Sequence, residues 1–281
     1  MELDALYRPM TASPYRRDAG YWESPPCAAL RPYIRCFWRS APAEGTPEGR
    51  ALVIPDTCMD ILFYADPVCG GLTSVFCALN DAAYHSGPSQ TPIVFAVRFY
   101  PWAAALFARD SLSQTLNAKY DAERHFPSLT RRLSPLLERC ATFAARQQCA
   151  EACLLALLDG APPSGTFLNV LLDLLCHDAS LSVTGLARNA CLSTRQLERL
   201  SERYTGMPPK RLSSLIRYQL VWQDALRSPR FSVQDAVFRY GYTDQAHLLN
   251  AFRRFHSMSL RRALALARQD VAFIQDAVPL P

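Results

Sequence analysis

Three sets of residues in this 281-residue chain have types and spacing that could do chemistry. The first is polar and cationic. Thr194, Arg195, Glu198, Arg199, Glu202 and Arg203 share one face of a helical repeat, and Gln245, His247, Asn250, Arg253 and Arg254 share another. Arginine offers a planar fork of donors that suits phosphate oxygens and guanine edges. The second set is Pro55-Asp56-Thr57-Cys58-Met59-Asp60 together with Arg98. Two carboxylates and a thiol could line a ligand mouth; Pro-Asp-Thr is also ordinary turn chemistry, and Cys58 also suits a core. Arg98 stands in an apolar strand, where a cation needs a partner. That partner is Asp56, Asp60 or an anionic effector. The third set is ten cysteines, none spaced C-x-x-C. They read as buried small hydrophobes, or as a redox or metal site, with Cys149 and Cys153 the nearest pair in sequence.

Charge singles out the first set. Between Ser180 and Asp270 fifteen Lys and Arg face six Asp and Glu, whereas the whole chain carries only +5. A basic C-terminal third on an acidic remainder points to a polyanionic partner for that third alone. Nearly all the cations are Arg, with Lys only at Lys119 and Lys210, a bias that codon usage would also produce. Hydrophobic residues at 49% and charged residues at 20% exclude disordered, collagen-like and coiled-coil chains. No apolar run reaches transmembrane length, and Met1-Glu2-Leu3-Asp4 does not open a signal peptide. The expectation is a cytoplasmic protein with no membrane partner and largely reduced thiols.

Different elements must position these sets. Twelve of the 21 prolines lie in the first 101 residues. They break up short β-branched and aromatic runs, Ala51–Ile54, Met59–Tyr64, Ser74–Leu79 and Ile93–Tyr100, which read as strands. From Trp102 the period becomes helical. One helix is expected over Pro135–Leu158, stopped by Asp159-Gly160-Ala161-Pro162-Pro163, and another over Phe167–Cys176. His85 and His125 read as surface residues, and Trp22, Trp38 and Trp102 as pocket walls or core.

The basic third is duplicated. Ser182-Val183 recurs as Ser232-Val233 at an offset of 50. Leu197, Leu200 and Tyr204 recur as Leu248, Ala251 and Phe255 at 51, and Lys210-Arg211 as Arg261-Arg262. Each copy reads as helix, tight turn, helix. Ser182 and Ser193 cap the first pair, and Ser232 with Thr243 or Asp244 the second. Gly206 ends the first pair as a left-handed residue, and Gly241 makes the turn of the second. Pro209 to Arg227 reads as a linking helix of roughly 28 Å, which suits two units about one DNA turn apart.

Leu192-Ser193-Thr194-Arg195-Gln196-Leu197-Glu198-Arg199, Gly241-Tyr242-Thr243-Asp244-Gln245-Ala246-His247-Leu248 and Ala251-Phe252-Arg253 resemble the AraC/XylS family of transcriptional regulators over roughly Leu181 to Ala267. That family carries two helix-turn-helix units on a linking helix. The resemblance places base-reading residues at Arg195, Glu198 and Arg199 in the first unit. In the second it places them at Gln245, Ala246, Leu249 and Asn250. Thr194, Arg253 and Arg254 complete the expected DNA-binding set. Three departures stand out: Cys191 where the family has glycine, Asn250 where it commonly has arginine, and Ser257-Met258-Ser259-Leu260-Arg261-Arg262-Ala263 in place of the family ending. Upstream, Leu30-Arg31-Pro32-Tyr33-Ile34, Phe37-Trp38, Ile54 to Phe63 and Val97-Arg98-Phe99-Tyr100-Pro101 resemble a β-rich module of poorly characterised function, with Thr57 and Trp102 in place of two glycines.

The reading that follows is an α+β protein. A β-rich, cupin-like barrel over 1–110 senses or dimerises, a helical linker spans 111–178, a double helix-turn-helix domain spans 179–270, and a tail spans 271–281. The expected function is sequence-specific regulation of transcription as a homodimer on double-stranded DNA, with RNA polymerase a candidate partner. A small-molecule effector, or a thiol or metal signal, would act at Asp56, Cys58, Asp60 and Arg98. No cofactor is specified. The chain is read as a non-enzyme, against two alternatives: a thiol-based alkyl acceptor fused to a DNA-binding domain, or a protein-interaction regulator with weakened DNA binding.

Overall fold

The computed structural model describes residues 3–10, 21–41, 52–66, 70–85, 91–158 and 165–268. The proline-bounded runs form strands, because each short apolar stretch can bury one face without the length a helix needs. They are β1 (Tyr21–Ser24), β2 (Ile34–Ser40), β3 (Leu52–Val53), β4 (Met59–Ala65), β5 (Leu72–Cys77), β6 (Tyr84–His85), β7 (Ile93–Phe99) and β8 (Lys119–Asp121). Six make one sheet in the order β1-β2-β7-β4-β5-β8, antiparallel throughout, and β3 pairs with β6 in a separate ribbon. The β-rich domain is therefore as expected. Its ladder, among the described residues, is an open sheet with edges at β1 and β8 rather than a closed ring. Helices cover one face, which lets a sheet bury its apolar side without closing on itself. β8 carries the sheet to Asp121, past residue 110.

Alternation splits that sheet into two chemistries. Phe37, Ile61, Phe63, Phe76, Phe95, Val97 and Phe99 are fully buried on one side. Helices α2 (Ala104–Phe107), α3 (Ala122–His125), α4 (Pro127–Arg139) and α5 (Phe143–Leu158) meet that side, with ring contacts Phe99–Phe107, Phe76–Phe126 and Phe95–Phe143. The opposite side carries Cys36, Trp38, Leu62, Cys77 and Ala96 with the ionisable residues described below. A four-residue helix α1 (Leu3–Leu6) precedes the sheet.

The single helix expected over Pro135–Leu158 is two. Cys140 takes extended backbone (φ −87°, ψ 121°) and ends α4, and α5 restarts at Phe143. Pro135 sits inside α4 without ending it. The expected stop at 159–163, residue Ala51, Cys69 and the tail 271–281 lie outside the described residues.

Beyond α6 (Gly165–Cys176) the basic third forms α7 (Val183–Asn189), α8 (Thr194–Thr205), α9 (Pro209–Arg227), α10 (Val233–Arg239), α11 (Gln245–His256) and α12 (Leu260–Arg268). These helices share one apolar core with the sheet domain. Gln219, buried in the middle of α9, accepts from Met10 N at 2.9 Å and donates to Pro55 O at 2.5 Å. Leu112 N bonds Arg203 O and Ala83 N bonds Phe255 O. Buried Asp81 pairs with Arg211 and takes a bond from Asn117. Gly206 closes the seam. A Cβ there would stand 2.7 Å from Thr115 Oγ1 and 2.8 Å from Leu112 O, closer than atoms can pack.

Candidate nucleic-acid interface

Capping chemistry sets where α8 and α11 begin. Ser193 Oγ accepts from Gln196 N while the Gln196 side chain accepts from Ser193 N, a reciprocal capping box. Asp244 Oδ1 accepts from His247 N at 2.7 Å, so Asp244 rather than Thr243 caps α11. Ser182 and Ser232 cap α7 and α10 by the same bond to the third residue on.

The duplication is visible in the backbone. The turns between the paired helices carry left-handed residues at Cys191 (φ 55°) and Gly241 (φ 64°), and the second helices end on left-handed Gly206 (φ 70°) and Ser257 (φ 61°). Leu192 N bonds Ala187 O in the first turn, and Tyr242 N bonds Val237 O at the matching place in the second. Cys191 thus occupies the strained geometry that a glycine would adopt freely, at a cost of about 1 kcal/mol. The altered ending leaves the fold intact, since Leu260 starts α12 and is buried.

Each second helix buries one stripe and bares the other. Leu197, Ser201 and Thr205 face inward on α8, as do Leu248, Phe252 and Phe255 on α11. Thr194, Arg195, Glu198 and Arg199 are exposed, as are Gln245, Ala246, Leu249, Asn250, Arg253 and Arg254. All ten residues expected to bind DNA therefore lie exposed on α8 and α11. Arg203 and His247, also exposed, extend the two faces.

The spacing of the units is fixed by more than α9. Arg217 reaches from α9 to donate to Ala179 O (2.8 Å from one terminal nitrogen, 3.2 Å from Nε) and to Gly241 O (3.2 Å). It ties the approach to the first unit to the turn of the second, and its guanidinium lies 5.1 Å over the Tyr242 ring. Gly241 packs so close to Ser180 that an added Cβ would fall 2.9 Å from Ser180 Cβ. Arg239 joins Asp178 across the same seam at 3.4 Å. Arg217 carries no local signal of this role, because its partners are backbone carbonyls 38 and 24 residues away.

The second candidate set also assembles. Cross-strand register aligns Cys36, Arg98, Asp60 and Cys77 in one row over β2, β7, β4 and β5. Arg98 grips Asp60 with two bonds, Nε to Oδ1 at 2.9 Å and a terminal nitrogen to Oδ2 at 3.2 Å. Its other terminal nitrogen lies 3.6 Å from Glu23 and 3.8 Å from Asp56. Trp38 Nε1 donates to Asp60 at 2.8 Å, and the Arg98 guanidinium lies 5.2 Å over the Trp38 ring. Of the two carboxylates expected to pair with Arg98, Asp60 makes both hydrogen bonds, and Asp56 stands farther off than Glu23. Glu23 was not among the expected site residues, and Trp38 was read only as a pocket wall or core; Glu23 rides on β1, a four-residue strand too short to show a period.

Burial dominates the electrostatics of this row. It works to lower the Arg98 pKa, but Asp60, Tyr21 and Asp56 outweigh it and keep the cation firmly charged. Burial raises Asp56 to about 6 against the pull of Arg98. Burial also pushes the Cys36 and Cys58 thiols well up, and Cys77 to about 12, so all three rest as thiols. Asp56 Oδ1 accepts from Cys58 N at 2.9 Å, and Thr57 between them is left-handed (φ 63°), so the turn reading of Pro55-Asp56-Thr57 and the core reading of Cys58 both hold. The three tryptophans do not share a pocket. Trp38 belongs to this row, Trp102 is buried with its Nε1 on Pro32 O, and Trp22 is half exposed against Phe143. His85 is exposed, whereas His125 is partly buried between Phe76 and Tyr120.

Residues 186–265 match the family described as a helix-turn-helix domain, and that stretch contains α8, α9 and α11. The C-terminal region is an AraC-type DNA-binding domain. With it the chain is a DNA-binding regulator in kind. Ahead of the AraC-type domain, residues 23–121 match a domain of unknown function, DUF6597, over the sheet from β1 to β8. No curated protein matches the chain. Among solved structures, an AraC-type transcriptional regulator from Chromobacterium violaceum is 21% identical over 37% of this chain and 93% of its own, with a TM-score of 0.33. ToxT from Vibrio cholerae is 8% identical over 88% and 98%, at 0.41; a second ToxT structure, from strain O395, is 10% identical over 78% and 95%, at 0.39. Among the described residues no helix is long and apolar enough to cross a membrane, and no three His, Cys, Asp or Glu side chains are grouped to hold a metal.

Proposed function

We propose that this regulator binds specific sequences of double-stranded DNA through α8 and α11, and that the row around Arg98 receives the signal that controls it. The observation that carries the reading is the loop Pro55-Asp56-Thr57-Cys58. Asp56 faces Arg98 at 3.8 Å, while the carbonyl of its neighbour Pro55 accepts the Gln219 bond from α9. A change in the charge or position of Asp56 therefore acts directly on the helix between the two DNA-binding units. Arg195, Glu198, Arg199, Gln245, Ala246, Leu249 and Asn250 read bases, and Thr194, Arg253 and Arg254 hold the backbone. The working units are 1–110, 111–178, 179–270 and the tail 271–281, acting in the cytoplasm as a homodimer with RNA polymerase as partner. The effector is a small molecule at Asp56, Cys58, Asp60 and Arg98. The alkyl-acceptor alternative needs a reactive thiolate, and the thiols of this row are held protonated by burial.

Binding-site selection on random DNA, with and without reductant and a metabolite panel, tests this. A selected motif is expected, with an affinity that falls steeply with salt. Arg195→Ala and Arg199→Ala should each relax base preference. Unchanged footprints in both variants remove α8 as a reading helix. Failure to retain any DNA, with binding to another regulator kept, turns the reading to the protein-interaction alternative.

A further inference from the structure

The break between α4 and α5 brings together two thiols on neighbouring helices. Cys140 ends α4 and Cys149 lies in the second turn of α5, and their sulfurs are 3.6 Å apart. Both are half-buried and free, so solvent reaches them. Arg146 stands close enough to Cys140 for their charges to interact, and is fixed there by its own bond from Nε to Leu137 O at 3.2 Å. The contact with Cys140 raises the Cys149 thiol and keeps its proton on, so Cys140 is the sulfur on which the Arg146 charge bears. One sulfur is set to attack and its neighbour to resolve. The buried thiols Cys36, Cys58 and Cys77 have no cysteine partner at such a distance among the described residues.

We propose that Cys140 and Cys149 are an oxidisable dithiol that reduces hydroperoxides and closes to a disulfide across the α4–α5 hairpin. The Cys140 thiolate attacks one peroxide oxygen and the O–O bond breaks. The departing alkoxide or hydroxide takes up the proton that Cys140 released and leaves as alcohol or water. Cys140 is then a sulfenic acid. The Cys149 sulfur attacks it, the S–S bond forms, and hydroxide departs with the Cys149 proton as a second product, water. Two thiols and one hydroperoxide thus give one disulfide, one water and one alcohol or water, with both electrons passing to the peroxide. The sulfurs must close by about 1.5 Å to reach a bond near 2.05 Å. The non-helical link at 141–142 leaves room for that shift. The bond would staple the end of α4 to the helix whose Phe143 packs on Trp22 and Phe95 and whose Glu151 holds Cys27 N.

The reduced full-length protein is treated with one equivalent of hydrogen peroxide, blocked with N-ethylmaleimide and mapped with trypsin. Cleavage after Arg139 and Arg146 puts the two cysteines on separate peptides. The expected result is the loss of two alkylatable thiols and a peptide pair joined through Cys140 and Cys149, restored by dithiothreitol. Cys149→Ser should accumulate a dimedone adduct on Cys140, Cys140→Ser should give neither adduct nor bridge, and Cys153→Ser should bridge as the parent does. A bridge that disappears in Cys153→Ser, one joining other cysteines, or unchanged alkylation of both thiols after peroxide overturns the proposal.

Discussion

Replacing Gln219 with leucine removes both bonds from the centre of α9 to the sheet domain and keeps a side chain of similar bulk. Met10 N and Pro55 O, bonded at 2.9 and 2.5 Å in the parent, then lose their partner. Gln219 is fully buried and Pro55 and Met10 are buried, so water reaches these groups only if the seam opens. An orphaned buried backbone group costs about 1–3 kcal/mol, and partial relaxation of residues 7–10 reduces the sum to roughly 2–4 kcal/mol. At about 2 °C per kcal/mol for a chain this long, the melting temperature should fall by roughly 4–8 °C. Thermal unfolding followed by circular dichroism measures this, with Arg199→Ala as an exposed control expected within about 0.5 kcal/mol of the parent. The second reading is functional: any effect of a ligand or reductant on DNA affinity should shrink in Gln219→Leu. A melting temperature within 1 °C of the control, with the effector response intact, would refute the claim that Gln219 joins the two regions.

Three further outcomes follow from the same structure. Cys191→Gly should stabilise the first helix-turn-helix unit by up to about 1 kcal/mol, because φ 55° costs a side chain but not glycine, less the added freedom of the unfolded chain; chemical denaturation reads it. Arg98→Met leaves Asp56, Asp60 and Glu23 together without their cation and should cost roughly 3–5 kcal/mol at neutral pH, whereas a loss below about 1 kcal/mol would mean that water already solvates the row. Two groups give stability opposite pH dependences. Burial lowers His256 to about 3, so its contribution is complete above its unfolded pKa near 6.5 and drains away as pH falls from there toward 3. Burial raises Asp56 to about 6, so its contribution is complete below its unfolded value near 3.8 and is lost as pH rises through 6. Between pH 7 and 5 the first loses roughly 2 kcal/mol and the second gains roughly 1 kcal/mol. Denaturation of Asp56→Asn at both pH values should therefore show the steeper acid loss and His256→Gln should show none; equal slopes in the two variants would sink both assignments.

The duplicated C-terminal third was legible because its information is local. Caps at Ser182, Ser193, Ser232 and Asp244, the left-handed end at Gly206, the turn at Gly241, and helical stripes such as Leu197 to Tyr204 all act within a few residues of themselves. The boundaries of α7 to α11 accordingly follow the pattern. Exposure of Arg195, Arg199, Arg253 and Arg254 was legible for the same reason, since the buried stripe on a helix dictates its opposite face. Strands β1, β6 and β8 were not, because two to four residues carry no period. Neither was the break at Cys140, whose extended backbone no proline or glycine announces.

Chain order determined which residue types lie on each helix and strand, and so which could face DNA or pair with Arg98. Only the tertiary structure decided which of them meet. Cross-strand register chose Asp60 over Asp56 for Arg98 and brought in Glu23 from β1. The packing of α9 against the sheet joined Gln219 to Pro55 across 164 residues. The α4–α5 hairpin chose Cys140, not Cys153, as the neighbour of Cys149. Local propensity acts through one or two turns of chain, whereas these pairings depend on how whole faces bury their apolar area, and no short stretch of sequence contains that.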